Sequence, residues 1–405
     1  MKASTSIQSC KRLAIALAAL ILVAPAASAL NFGLLLDQNF AVANSGFGYE
    51  PALVPHFSAL LGDSGDLFLS GSLRAVYGIR EDEEDLSWSF VPELLRSEFI
   101  WRFRATDLQV GRMNYSDPMG IVAGGLFDGA RLSFHTAAGT FGIGVWYTGL
   151  QYTNRARIGM TAGDLANSGY FASRRVMAAA DWDHPSVAPR QLPGLRLNLA
   201  LLGQVDVNNG DRNEHYHSQY LVARAMMPVR RLVFELGSSV GAGQLLRGGG
   251  ADFQLGLAAD AAMHWLPRSP VPSMVSLAGR YTSGWSDGPI TAFTPVTQFS
   301  HGHALRSASP GISTASLTYA VRLHRSLVTS LRASGLIRSG TILIDADRLG
   351  GDPNDRRFLG TELFVSLAWS PLSDLALSLG AGMFQPRGSS TLLGRLDLGL
   401  VLSLF

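Results

Sequence analysis

The sequence predicts an all-β protein, a single antiparallel β-barrel that crosses the outer membrane. Three observations carry this. Short segments of period-two alternation run almost from residue 32 to the end, the signature of strands with one apolar and one polar face. In the last of them Leu396, Leu398, Leu400, Leu402 and Leu404 alternate with Arg395, Asp397, Gly399, Val401 and Ser403. An export leader stands in front of the strands, and the connections between them alternate between short and long.

The leader comes first. Lys2, Lys11 and Arg12 precede the apolar run 13–24, Pro25, and the small-residue site Ala27-Ser28-Ala29. A basic start, a short apolar core and a small-x-small site predict a cleaved signal peptide over 1–29, with the barrel over 30–405. The apolar run is shorter than the roughly 20 residues of a membrane helix. Cleavage removes Cys10, the sole cysteine, so thiols, disulfides and cysteine-held metals are excluded from the mature chain. Both lysines and one arginine leave too, and the formal net charge of +2 becomes −1. The mature chain keeps its basic side chains solely as arginine, a permanently charged fork suited to anionic groups, or simply a product of codon usage. Nucleic-acid binding is unsupported at this charge, and a chain without lysine has no phosphate-cradling Gly-Lys loop. The 44 glycines and positive mean hydropathy of +0.17 suit a chain between lipid and lumen.

Strands are expected at 32–42, 52–60, 67–79, 95–105, 108–113, 127–135, 140–151, 172–182 and 194–207. They continue at 216–227, 230–243, 252–265, 273–284, 312–324, 326–338, 358–370, 373–385 and 391–405. The total is eighteen, with sixteen as the alternative. Even-to-odd links are tight, as at Ala105-Thr106-Asp107, Ala137-Ala138-Gly139 and Pro228-Val229-Arg230; only 183–193 departs from this. Odd-to-even links are long, as at 80–94, 114–126, 152–171, 284–311 and 339–357. Outer-membrane barrels place short turns in the periplasm and long loops outside, so an even strand number puts both termini in the periplasm. Tyr77, Trp101, Trp146, Tyr147, Trp182, Trp265, Tyr281 and Trp369 are candidates for aromatic girdles at the two interfaces.

The polar face of each strand gives the expected lumen. Charges are costly on the lipid face near midplane, which fixes the phase. Arginines assigned inward are Arg74, Arg102, Arg104, Arg131, Arg196, Arg280, Arg322 and Arg332; acids are Glu98, Asp206, Glu235, Asp260 and Glu362. Within 327–338 the face Leu327, Thr329, Leu331, Ala333 and Ile337 opposes Ser330, Arg332, Ser334 and Arg338, interrupted by Val328 and Leu336. More arginine than acid focuses a field that favours anions, while pairing into a rigid charge ladder is the competing role.

A barrel of 16–18 strands leaves an aqueous channel unless it is plugged. No plug domain precedes the strands, so any constriction must be a loop folded inward. The first candidate is 284–311, carrying His301, His303 and Arg306, and the second is 152–171, with Arg155 and Arg157. The oxygen-rich stretches Asp345–Asp355 and Asp206–Asp211 lack the spacing and terminal glutamate of an EF-hand, and read as Asx-rich turns. His215/His217 and His301/His303 have no evident third ligand, so no metal site is assigned and no cofactor is expected. No motif selects a serine–histidine pair for hydrolysis, so the chain is not expected to be an enzyme.

The segment Asp107-Leu108-Gln109-Val110-Gly111-Arg112, with Phe127-Asp128-Gly129-Ala130-Arg131-Leu132-Ser133-Phe134, resembles a region of porin-like families. Gly360-Thr361-Glu362 with Ser370-Pro371-Leu372-Ser373-Asp374 and Phe384-Gln385-Pro386 is similar to the penultimate hairpin of alginate-export-type barrels. The resemblance implies a passive, arginine-lined pore for anionic solutes, with Arg112, Asp128, Arg131 and Glu362 facing the channel. Terminal Phe405 fits the insertion signal of such barrels, although the last leucines run out of phase with it. The expected activity is passive diffusion of small hydrophilic solutes through the outer membrane, with a preference for anions. An outer-membrane lipase or protease and a loop-sealed adhesin or structural barrel are the rivals. Membrane lipid and the barrel-assembly machinery are the expected partners, with homo-oligomer formation left open.

Overall fold

The computed structural model describes residues 29–404 apart from 45, 62–64, 81–86, 186–193, 209–213, 249, 287–289, 309 and 342–356. The expected signal peptide, the stretch 345–355 and Phe405 lie outside the described residues, apart from Ala29.

Eighteen strands follow one another around a closed antiparallel sheet. They are β1 (Ala29–Ala43), β2 (Gly46–Leu61), β3 (Gly65–Arg80), β4 (Ser87–Phe103), β5 (Thr106–Ser116) and β6 (Gly124–Thr136). Next come β7 (Gly139–Tyr147), β8 (Arg175–His184), β9 (Arg196–Asp206), β10 (Glu214–Val229), β11 (Leu232–Arg247) and β12 (Gly250–Trp265). The last six are β13 (Ser273–Thr282), β14 (Ile312–His324), β15 (Leu327–Arg338), β16 (Phe358–Trp369), β17 (Leu375–Pro386) and β18 (Leu393–Ser403). Two single-turn helices, α1 (Thr153–Ala156) and α2 (Ala162–Leu165), lie in the β7–β8 loop. Closure comes from β1 pairing with β18, in a register running from Leu35 opposite Ser403 to Ala43 opposite Arg395. A closed sheet leaves no unpaired edge, which lipid would not tolerate.

Each expected strand corresponds to an observed one. The largest boundary difference is β4, which begins at Ser87 rather than 95. Pro92 and Glu93 break the apolar rhythm there. A bulge opposite Leu69/Gly71 then shifts the phase, so that Glu93 and Glu98 face the same side despite their odd spacing. An even number of strands brings the start of β1 and the end of β18 to the rim that carries the short turns.

Outward positions are apolar on strand after strand: Leu201, Leu221, Leu236, Leu277 and Leu317 are all more than half exposed. Aromatic rings concentrate at the two ends of this surface. Trp101, Phe103, Phe134, Phe141, Trp265 and Trp369 ring the short-turn rim, and Trp88, Phe90, Phe253 and Tyr281 the other. Trp146 is no girdle residue. It points inward, is 1% exposed, and packs on Tyr115 at a ring distance of 4.4 Å.

Strands β4 and β5 meet closely at Gly111, where φ is 119° and an added Cβ would lie 2.1 Å from the Ser97 carbonyl oxygen. Only glycine fits both constraints. Gly111→Ala should cost at least about 1–3 kcal/mol from the backbone alone. The check is heat-modifiability on a gel: the folded band should be lost at a lower temperature than in the parent protein.

Candidate functional site

The lumen is not an open cylinder. Three loops from the rim opposite the termini fold into it: 117–123, 148–174 and 283–311. They are held to one another by backbone hydrogen bonds from Val296 and Thr297 N–H to Val122 O and from Gln298 N–H to Arg157 O (2.8, 3.1 and 2.9 Å). Their apolar side chains, Ile121, Val122, Ala156, Ile158, Met160, Phe293 and Val296, are buried in one cluster. The inner wall that receives them is apolar too: Met113 and Tyr115 of β5, Phe127 of β6, Trp146 of β7, Met177 of β8, Leu202 of β9 and Tyr220 and Val222 of β10. Each fully buried large side chain here contributes roughly 1.5–3 kcal/mol, enough in sum to hold loops inside a water-filled barrel.

Two polar devices shape these loops. Asp117 accepts backbone N–H bonds from Met119, Gly120, Val122 and Ala123 at 2.8–3.0 Å, closing the first loop on itself. Arg175, on the inner face of β8, has no exposed side-chain surface and anchors the second loop. Its Nη2 lies 2.6 Å from Asp164 in α2 and 3.2 Å from Asp206 of β9, and its Nη1 donates to Gln204 and to the Tyr216 carbonyl. Asp164 also closes a capping box with Thr161 at the start of α2.

Beside the loops lies a cavity of about 440 Å³ against the wall from β10 to β15. Arg224, Arg280, Arg332, Glu235, Asp260, His264, His301 and His303 line it. Arg224 pairs with Glu235 at 2.5 Å and also reaches the Pro118 carbonyl of the first loop. Arg280 holds Asp260 in a two-pronged pair at 2.8 and 2.9 Å. Arg332 has no ion pair among the described residues; it donates to Ser334 Oγ, Ser316 Oγ and His303 Nε2 at 3.3, 3.0 and 2.9 Å. Three arginines face two carboxylates along the cavity lining, so the lining carries a net positive charge, and Arg332 is the arginine without an ion pair.

Residues 300–307 of the third loop form the inner lip. His301 and Ser307 exchange backbone hydrogen bonds, closing a small hairpin. His301 is buried, which pushes its pKa down to about 4. His303 is lowered as well, by burial and then by the Arg332 guanidinium, with Glu362 opposing. Since arginine can only donate, His303 must present a lone pair at Nε2 and is neutral while this contact holds. Docked His303 therefore binds a proton less readily than free histidine. Its docking is undiminished above the usual histidine range and weakens as pH falls below it. Anion preference should stay flat through neutral pH and change only on acidification. His303→Gln should remove that acid-side change, read as zero-current potential against pH.

The expected pore residues fall into distinct places. Arg74 points inward and pairs with Glu50 (2.6 Å), Arg102 pairs with Asp66, and Arg131 pairs with Asp181 (2.6 Å). Arg196 and Arg322 hold inward phases near the short-turn rim and are exposed. Asp206, Glu235, Asp260, Arg280 and Arg332 are inward as described. Glu98 is inward but buried, contacting Arg96 and Gln109.

Three placements are corrected. Arg104 is in the two-residue turn between β4 and β5 at φ 53°, with its guanidinium over Phe103, so it lies at the rim rather than on the lumen wall. Arg112 and Asp128 share the outward phase of Val110 and Ala130, and their neighbours Met113 and Phe127 take the inward one. The pair is bidentate at 2.7 and 2.8 Å, and Arg112 also donates to the Leu94 and Leu150 carbonyls. An outward charge is tolerated because every strong bond it needs is local. Glu362 points inward but is 3% exposed, covered by the third loop.

Arg175, Arg224 and His264 are the site residues that the alternation does not reveal. Their strands carry apolar side chains on both faces where loops dock. Among the described residues one serine–histidine–acid arrangement stands in the lumen: His264 Nδ1 is 2.8 Å from Ser276 Oγ, and its Nε2 is 3.7 Å from Glu235. Its use of the two ring nitrogens is the reverse of hydrolase triads, and Glu235 is already held by Arg224.

The barrel is similar to solved structures from Pseudomonas aeruginosa. OccK8 (OprE) is 11% identical with a TM-score of 0.59, over 94% of this chain and 100% of that one. OpdK, solved with vanillate, is 12% identical with a TM-score of 0.58, over 93% and 98%. OccK11 (OpdR) is 15% identical with a TM-score of 0.56, over 93% and 96%. At these identities the likeness is one of fold. No protein-family model and no curated sequence matches the chain.

Proposed function

We propose that this protein is an outer-membrane channel through which small hydrophilic solutes diffuse passively, with a preference for anions. The observation that carries the reading is the cavity at the loop constriction, where Arg332 forms no ion pair with any carboxylate among the described residues. Arg280 and Arg224 flank it but are paired. A solute anion meeting Arg332 exchanges water for a charge-assisted hydrogen bond without first breaking an ion pair. The fold likeness to outer-membrane protein OpdK, whose structure holds the aromatic carboxylate vanillate, supports a channel of this kind. In this reading residues 1–29 direct export, the barrel-assembly machinery inserts the strands, and both termini face the periplasm.

Liposome swelling tests it. Vesicles containing the purified protein should swell in isotonic small organic anions faster than in amino sugars of similar size. Swelling no faster than in protein-free vesicles would overturn the channel. Equal rates for both solutes would overturn the anion preference.

A further inference from the structure

Glu362 of β16 is used for something other than lining water. Its Oε1 accepts the N–H of His303 at 2.8 Å, and its Oε2 accepts the N–H groups of Ala304 and Leu305 at 2.8 and 3.1 Å. Three successive backbone N–H groups converging on one carboxylate form a nest, a concavity built to hold an anion. The backbone on either side is shaped for it. Gly302 has φ 76° and Arg306 φ 48°, and a Cβ on Gly302 would lie 2.7 Å from Glu362 Oε2. Glycine is thus required there both for the turn and for the carboxylate's approach.

The hairpin seated on this carboxylate carries the polar groups of the lip. His303 stacks on Phe364 at 4.9 Å and accepts from Arg332, while Arg306 reaches Asp397, itself paired with Arg395, at 3.1 Å. Leu305 is buried with Ile312, Leu336, Leu359 and Phe384 beneath the nest. The inner face of the barrel thus offers one carboxylate and one apolar socket, and the loop offers one anion receptor and one apolar plug.

We propose that residues 303–305 are an anion receptor whose resident ligand is the Glu362 carboxylate, and that this contact latches the third loop across the pore. Glu362 is in this sense a positioning residue: it sets where His303 and Arg306 stand and touches no solute itself. The inference rests on the proposed channel function. Any small carboxylate that reached the vacated receptor would take the same three hydrogen bonds.

Planar-bilayer recording of the full-length protein tests the latch. Glu362→Ala should raise single-channel conductance by roughly twofold, since conduction follows the open cross-section of the constriction. Sodium formate, matched in ionic strength by sodium chloride in the control, should return the conductance of Glu362→Ala toward the parent value and leave the parent unchanged. Gly302→Ala keeps the barrel wall intact and alters only the nest; it should open the pore in the same way, and it decides the matter if Glu362→Ala fails to fold. Parent-like conductance in either folded variant, or no response of Glu362→Ala to formate, would overturn the latch. A silent parent protein would instead overturn the channel, so the two failures are distinguishable.

Discussion

Arg332→Gln is expected to reduce the ratio of anion to cation permeability by about tenfold, and to leave the barrel folded. The size follows from electrostatics. A unit charge about 4 Å from a passing ion is worth roughly 1–4 kcal/mol between water-like and near-surface screening, and 1.4 kcal/mol is tenfold. The effect falls on Arg332 rather than its neighbours because Arg280 and Arg224 are paired with Asp260 and Glu235. Removing either neighbour strips a partner from a carboxylate as well as removing a cation. The partners of Arg332 are two serine hydroxyls and a histidine lone pair, all of which glutamine can still satisfy in part. Zero-current potential in a salt gradient is the measurement, and an unchanged value would make Arg332 structural.

Arg175→Met should be the most destabilising single change in the lumen. Arg175 and its partners Asp164 and Asp206 are almost wholly buried, so methionine would strand two carboxylates away from water. Breaking a buried pair from one side costs about 3–5 kcal/mol. The backbone pairing of β8 with β9 and of β9 with β10 does not use this side chain, whereas the 148–174 loop is held by it through Asp164. The expected result is a folded barrel with the loop released: new protease cleavage within 148–174 and raised conductance with larger open-channel noise. Parent-like protease resistance would show that the apolar cluster alone holds the loop.

The strands were legible in the sequence because lipid and water face opposite sides of each one. Leu396 to Leu404 alternating with Arg395 to Ser403 is that boundary written in residues, and β18 forms where it stands. Interruptions of the alternation carried a second message. Leu336 breaks the polar face of β15, and the structure places it, fully buried, where Leu305 of the third loop and Ile312 of β14 pack. Tyr216, Tyr220 and Val222 likewise give β10 an apolar inner face, and with both faces apolar the inward phase of Arg224 could not be read. Arg112 and Asp128 are placed in the channel only by the family resemblance, and the structure turns them outward. Charge on a strand implies the lumen only where lipid is the alternative, and here Leu94 and Leu150 carbonyls supply local acceptors beside the pair. Arg175 is hidden because its carboxylates come from the adjacent strand β9 and from the loop that precedes β8, neither of which shares its strand. Alternation carries no information on such pairings.

The most direct test of the account is the zero-current potential of the purified parent protein in a planar bilayer under a potassium chloride gradient. The account predicts discrete conductance steps and a potential on the chloride side of zero. A silent bilayer, or a potential on the potassium side, would contradict it.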